Sequence, residues 1–263
     1  GFLAGHGERN IYREGDREYK RISSDKNSRS SMINQGFDIE EVYLNAPLPD
    51  SISILVISEL RSPLLAEEMD HLQEFINRGG NLFVLGGPGR QELMNPIGVR
   101  FMPGQLVQPT PLLQADLIQA IPTDEGVVYW SDLDFIRKTE GCVAMPGCVG
   151  LEYTKTDGIT FTPLLSTDTT GCWNRIVSTD FVRDSVRYTP ETGDQAGTFT
   201  TTLALTREVN GQEQRVLIAG NTDFLSNGEF AMGRREVRNF NGMLKHAAFY
   251  WLSHEELPVN TSG

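Results

Sequence analysis

The segment Gly5-His6-Gly7-Glu8-Arg9 holds residue types suited to chemistry. A histidine two residues from a glutamate can serve as a general base with its orienting acid, or both can ligate a metal ion. The two side chains meet on one side only if the backbone stays extended, and no Cys-x-x-Cys completes a deaminase-type zinc site. The glycines have a structural use as well, a tight turn in which His6 or Glu8 bonds the amides of neighbouring loops. That structural or ligand-binding use is favoured over catalysis. A second polar group, Asn221-Thr222-Asp223 with Asn227, can bind a cation or sugar hydroxyls, but such clusters after a strand more often make turns and helix caps. Gly86-Gly87-Pro88-Gly89 offers consecutive amides for an anion nest. It lacks the Lys-Ser/Thr of a P-loop and loses one donor at Pro88, so it reads as a turn. There is no Gly-x-Ser-x-Gly elbow. None of Cys142, Cys148 and Cys172 stands in a sharp turn between a buried strand and a helix, which disfavours a nucleophilic hydrolase.

The elements that must position these residues read as α/β in the first third. Residues 1–4 are a short apolar strand. The charged stretch 17–35 reads as a surface helix ended by Gly36. Residues 37–44 and 51–58 read as strands, the second buried on both faces. Ser62-Pro63 supplies a helix start, Leu65, Met69, Leu72, Phe75 and Ile76 follow at helical spacing, and Gly79-Gly80 ends the helix before a buried strand at 81–85. Strand, helix and strand with short connections predict right-handed crossovers and a parallel sheet. From about 100 to 200, prolines divide short segments, with strand-like stretches at 126–130 and 159–165, and a partly antiparallel insertion is expected. Residues 198–206 and 214–220 flank Asn210-Gly211, a strong hairpin signal, and a last helix begins near 239. The whole is read as one domain, 1–263, with the binding loops gathered at the carboxyl ends of its parallel strands. If those strands are neighbours, His6, Glu8, Arg9, Asp223 and Asn227 face one crevice.

Composition narrows the classes of function. The 263 residues carry 23 basic and 35 acidic side chains, a net charge of −12, so a phosphate backbone is repelled and no nucleic-acid partner is expected. Apolar runs such as Ile54-Leu55-Val56-Ile57 fall far short of the roughly 20 residues of a membrane span. Three cysteines are too few for a disulfide scaffold. Cys142 and Cys148, which bracket Met145-Pro146-Gly147, can close a small disulfide loop or stay reduced. The opening Gly1-Phe2-Leu3-Ala4 shows no initiator Met or basic leader and reads as a segment freed of any targeting sequence. No cofactor or metal site is predicted.

Several pieces in order resemble one family. They are Gly5-His6-Gly7-Glu8-Arg9, Asn34-Gln35-Gly36-Phe37-Asp38, the Leu-Val-Ile strand, the helix closing on Gly79-Gly80-Asn81-Leu82, and Gly220 to Asn227 followed by the terminal helix. Together they resemble the GldG-type auxiliary domain of ABC transporters, named from bacterial gliding motility. The match covers about residues 1–90 and 200–255. The resemblance implies a flavodoxin-like, class I glutamine-amidotransferase-like sheet, mainly parallel and flanked by helices. It also implies an extracytoplasmic, periplasmic-side location, with anchoring transmembrane helices outside this stretch of sequence. Partners would be permease or ATPase subunits or cell-envelope proteins. Related domains occur in intraflagellar transport proteins as interaction modules. Enzymes of the amidotransferase-like fold use an elbow cysteine, and its lack here points to a non-catalytic binding role on His6, Glu8, Arg9, Asn221, Asp223 and Asn227. The alternatives are a hydrolase or metal-dependent enzyme built on His6 and Glu8, or a sugar- or peptide-binding module.

Overall fold

The computed structural model describes residues 1–87 and 97–255. In chain order its elements begin with β1 (Phe2–Leu3), α1 (Lys20–Ser23), β2 (Glu41–Val42), β3 (Ile54–Ser58), α2 (Ala66–Asn77) and β4 (Asn81–Leu85). The middle supplies β5 (Val99–Phe101), β6 (Gln105–Val107), β7 (Leu117–Pro122), α3 (Asp124–Tyr129), α4 (Ser131–Lys138), β8 (Val143–Pro146), β9 (Leu151–Tyr153), β10 (Ile159–Ser166) and β11 (Trp173–Arg175). The chain then forms β12 (Gln195–Ala196), β13 (Thr200–Val209), β14 (Gln212–Ala219), α5 (Asn227–Met232) and α6 (Asn241–Leu252).

One eleven-stranded sheet runs β2-β1-β3-β4-β14-β13-β10-β7-β8, with β9 also paired to β13 and β5 to β9. Pairing is parallel from β2 to β14 and antiparallel beyond it. A small antiparallel sheet, β12-β11-β6, lies beside it. Strands β3 and β4 are buried along their whole length and apolar except for Ser58 and Asn81, as strands covered on both faces are expected to be. The β13–β14 hairpin turns on Asn210 and Gly211 at φ 53° and 77°, the left-handed pair that a two-residue turn of matching twist demands. Two apolar clusters cover the two faces of the large sheet. Each contains residues of both halves: Phe2, Val56 and Phe83 with Leu164 and Ala204 in one, Leu3, Leu55 and Leu82 with Leu151 and Leu203 in the other.

This architecture corrects the expected fold. The sheet is mixed, and among the described residues only α2, α4 and α6 reach eight residues, so it is not the helix-flanked, mainly parallel flavodoxin-like sheet. The helix read at 17–35 shrinks to the four residues of α1 and one 3-10 turn at Ile33–Gln35. The serines and asparagines there bond the backbone locally instead: Ser23 Oγ donates to the Ile11 and Tyr19 carbonyls, and the Asn34 amide donates to the Ser28 carbonyl. Of the stretch read as a strand at 126–130, residues 126–129 belong to α3 and Trp130 follows it, because Thr123 Oγ1 accepts from the Gly126 N–H at 2.9 Å and caps a helix. Helix α2 starts at Ala66 rather than at Ser62-Pro63, with the Glu68 carboxylate accepting the Leu65 N–H at 2.7 Å. Pro88 and Gly89 of the glycine turn, and the polar tail after Leu257, lie outside the described residues.

Candidate functional site

The first loop leaves β1 at its carboxyl end and reaches the ends of β3 and β14, the same edge of the parallel half. Arg9 is the junction. Its guanidinium, with the side chain 6 % exposed, makes a 2.5 Å ion pair from Nε to Glu59 after β3 and a 2.7 Å pair from Nη2 to Asp223 after β14. It also donates to Thr222 Oγ1 at 3.0 Å and to the Arg17 carbonyl at 2.7 Å, while its own N–H donates to Ser58 Oγ. Residues 5–9 and 221–223 therefore meet directly. Tyr19, fully buried, donates its hydroxyl to the Thr222 carbonyl at 2.7 Å and fixes that loop from behind.

Beside Arg9 lies a cleft of about 360 Å³ at the carboxyl ends of β3, β4 and β14. Its walls include Leu60, Val84, Phe101 and Val149, and its polar side is Arg9, Glu59, Thr222 and Asp223. Two kinds of glycine line it. At Gly220 a Cβ would stand 2.0 Å from the Val149 carbonyl oxygen, so the fold itself demands glycine there. Gly86 and Gly87 have no positive φ, and among the described residues a Cβ on either would meet nothing nearer than 3.9 Å. Neither conformation nor packing against the described residues requires glycine at those two positions, which line the cleft without side chains.

Of the six residues predicted for the site, Arg9, Asn221 and Asp223 line this cleft. Asn221 is buried and works locally: its Oδ1 accepts the Phe224 N–H and its amide donates to the Pro146 carbonyl. His6 and Glu8 are not among the cleft's lining residues. The His6 ring lies between two carboxylates, Nε2 at 3.0 Å from Glu68 and Nδ1 at 3.6 Å from Glu8, and the Glu8 carboxylate accepts the His6 N–H at 2.6 Å. That arrangement pins the first loop to the start of α2. Asn227, expected at the crevice, instead holds residues 13–21 from the first turn of α5. Its Oδ1 accepts the Arg21 N–H, and its amide donates to the carbonyls of Arg13 and Gly15.

Sequence reading missed Glu59 and Glu68. Glu59 is a non-glycine residue at φ 50°, immediately after a fully buried strand. Burial pushes its carboxyl up, but the Arg9 charge and the hydrogen bonds from Arg61 and Arg17 outweigh this and hold it below the usual carboxylate range. The available signal was position: a charged residue closing an apolar run marks the strand end where ligand loops gather. The cysteines are all free and buried. Burial raises their thiols, Cys142 to about 11, which leaves them poor nucleophiles at neutral pH. Among the described residues no group of three or more His, Cys, Asp and Glu side chains is placed to hold a metal ion.

Comparison of the sequence with protein-family profiles and with curated proteins returned no match. A solved structure shares the fold. The N-terminal domain of mmIFT52 superimposes with a TM-score of 0.62 at 12 % identity, covering 96 % of each chain. The exo-beta-1,4-mannosidase Op5Man5 from Opitutaceae bacterium strain TAV5 aligns with a TM-score of 0.46 at 12 % identity, over 95 % of this chain and 35 % of the enzyme. The first likeness places the mixed-sheet architecture among known folds from end to end, in place of the flavodoxin-like arrangement. Among the described residues no helix is long and apolar enough to cross a membrane.

Proposed function

We propose that this chain is a non-catalytic binding domain whose cleft beside Arg9 docks a partner, and that it acts as an extracytoplasmic auxiliary domain of an ABC-type export or gliding-related complex. One observation carries the binding part. Arg9 joins Glu59 and Asp223 across three loop ends, in a cleft also lined by two glycines that packing against the described residues does not require. The polar groups are thereby preorganised on rigid strand ends, as a recognition surface requires. His6, the best candidate for a general base, is engaged by Glu68 through Nε2 and takes the part of a tether. The transport context follows the sequence resemblance, with permease or ATPase subunits or cell-envelope proteins as partners and membrane anchoring through helices outside this stretch.

The test is retention of the permease by the full-length protein isolated from native membranes. Asp223→Ala and Gly86→Ala are expected to keep their thermal midpoint within a few degrees and to lower co-purified permease at least fivefold. Equal retention by both variants and the native protein, or no permease with any of them, overturns the reading.

A further inference from the structure

Three guanidinium groups converge on the single carboxylate of Glu59. Arg9 Nε and Arg17 Nη2 lie 2.5 and 3.1 Å from Oε2, and Arg61 approaches Oε1 through Nε at 3.1 Å and Nη2 at 2.9 Å. Arg9 also pairs with Asp223 and Arg17 with Glu18, but Glu59 is the carboxylate on which all three meet, in a chain with 23 cationic side chains against 35 anionic ones. Planar forked donors gathered in this way are the usual means of recognising a carboxylate. The carboxylate they hold is delivered by a backbone at φ 50°, a conformation that non-glycine residues adopt only where their surroundings impose it. Arg9 and Glu59, with Thr222 and Asp223, form the polar side of the cleft, and Leu60, Val84, Phe101 and Val149 form its apolar side.

We infer that Arg9, Arg17 and Arg61 form a carboxylate-binding site, filled in this structure by the protein's own Glu59, and that a ligand carboxylate takes its place while the ligand's apolar remainder occupies the cleft. No bond is made or broken; one carboxylate exchanges for another between the same donors, and the side chain of Glu59 turns out to solvent, where it is already 28 % exposed. The ligand class is a carboxylate attached to an apolar body. Two sources share that chemistry, the free C-terminus of a peptide ending in an apolar residue and a medium-chain fatty acid. The inference rests on the docking role proposed for the cleft and names what that role recognises.

Calorimetric titration of the native chain, Glu59→Gly and Glu59→Gln with hexanoate, acetyl-Ala-Leu and acetyl-Ala-Leu amide, at fixed ionic strength, tests it. Glycine at position 59 removes the internal carboxylate while suiting the positive φ. Glu59→Gly is expected to bind the two carboxylates at least tenfold more tightly than the native chain and the amide not at all. Adding Arg61→Ala to that variant should return affinity to the native level. Tighter binding of acetyl-Ala-Leu assigns the site to peptide termini, and tighter binding of hexanoate assigns it to free acids. If Glu59→Gly fails to fold, Glu59→Gln carries the comparison with an expected gain of threefold or more. Folded variants that bind no better than the native chain, or that bind the amide equally, overturn the inference. If permease retention still depends on Asp223 in that case, the docking role stands and only the ligand class falls; if it does not, the docking role falls by its own test.

Discussion

Arg9 has charged partners on two different strand ends, so the consequences of removing it differ from those of removing either partner. Its side chain is buried, whereas Asp223 is 43 % exposed. Truncating a buried partner strands the groups it neutralised and typically costs several kcal/mol, while an exposed ion pair contributes roughly 0–1 kcal/mol. Arg9→Ala is expected to lose about 2–3 kcal/mol in urea denaturation, and Asp223→Asn less than about 1 kcal/mol. Comparable losses would mean that Asp223 and not Arg9 organises the junction. Glu59 adds a pH signature. Its carboxyl is held below the ordinary range in the folded chain, so the unfolded chain binds more protons as the medium turns acid. The stabilisation it provides is complete above the unfolded carboxylate pKa, about 4.3, and fades as pH falls through the lower folded value. Glu59→Gln should therefore flatten the acid limb of the stability curve and leave its shape above pH 6 unchanged. An identical acid limb in native protein and variant would contradict the arginine cluster's hold on that carboxylate.

At the scale of elements, sequence pattern succeeds where burial and local chemistry agree. Strand β4 is apolar at Leu82–Leu85 and bounded by Gly80 and Gly86, and the structure places it where the pattern does. The β13–β14 hairpin is likewise fixed by Asn210-Gly211. Failures come where the two disagree. Val127, Val128 and Tyr129 have strand propensity, yet Thr123, Asp124 and Glu125 make a helix start, and the cap with its acidic first turn prevails. Residues 17–35 contain enough helix formers to suggest a helix, but the serine and asparagine bonds divide it. The site was partly legible for the same reason: loops after parallel strands converge whatever covers the sheet, so Arg9 and Asp223 could be paired from topology. Glu59 and Glu68 could not, because their roles depend on side chains that arrive from elsewhere in the chain. Thr123 offers a direct check on the balance in α3. Thr123→Ala removes the hydroxyl that accepts from Gly126 and donates to the Pro163 carbonyl at 2.6 Å, and a loss of about 1–2 kcal/mol is expected. A loss below a few tenths would show that tertiary packing alone, and not the cap, makes this segment helical.

The molecule as a whole joins a parallel half and an antiparallel half through the β4–β14–β13 ladder, and whether these behave as one unit follows from where the apolar side chains lie. A sheet whose halves had separate cores would unfold in steps. Here each face is covered by a cluster drawing on both halves, and α6 touches β4, β14 and β8, placing Phe249 against Phe83 at 5.6 Å between ring centroids and Trp251 against Trp130 at 5.7 Å. Opening either half exposes the apolar face of the other, so partial unfolding forfeits burial on both sides at about 25 cal/mol per Å² exposed. The three tryptophans lie outside the strands β1–β4, Trp130 between α3 and α4, Trp173 on β11 of the small sheet and Trp251 on α6, so their fluorescence reports these elements and not the parallel strands. Circular dichroism reports the whole backbone. The two signals are expected to trace one coincident transition in urea, the mark of a two-state domain. A fluorescence midpoint well separated from the dichroism midpoint would show that β14 is a seam between two units rather than the centre of one.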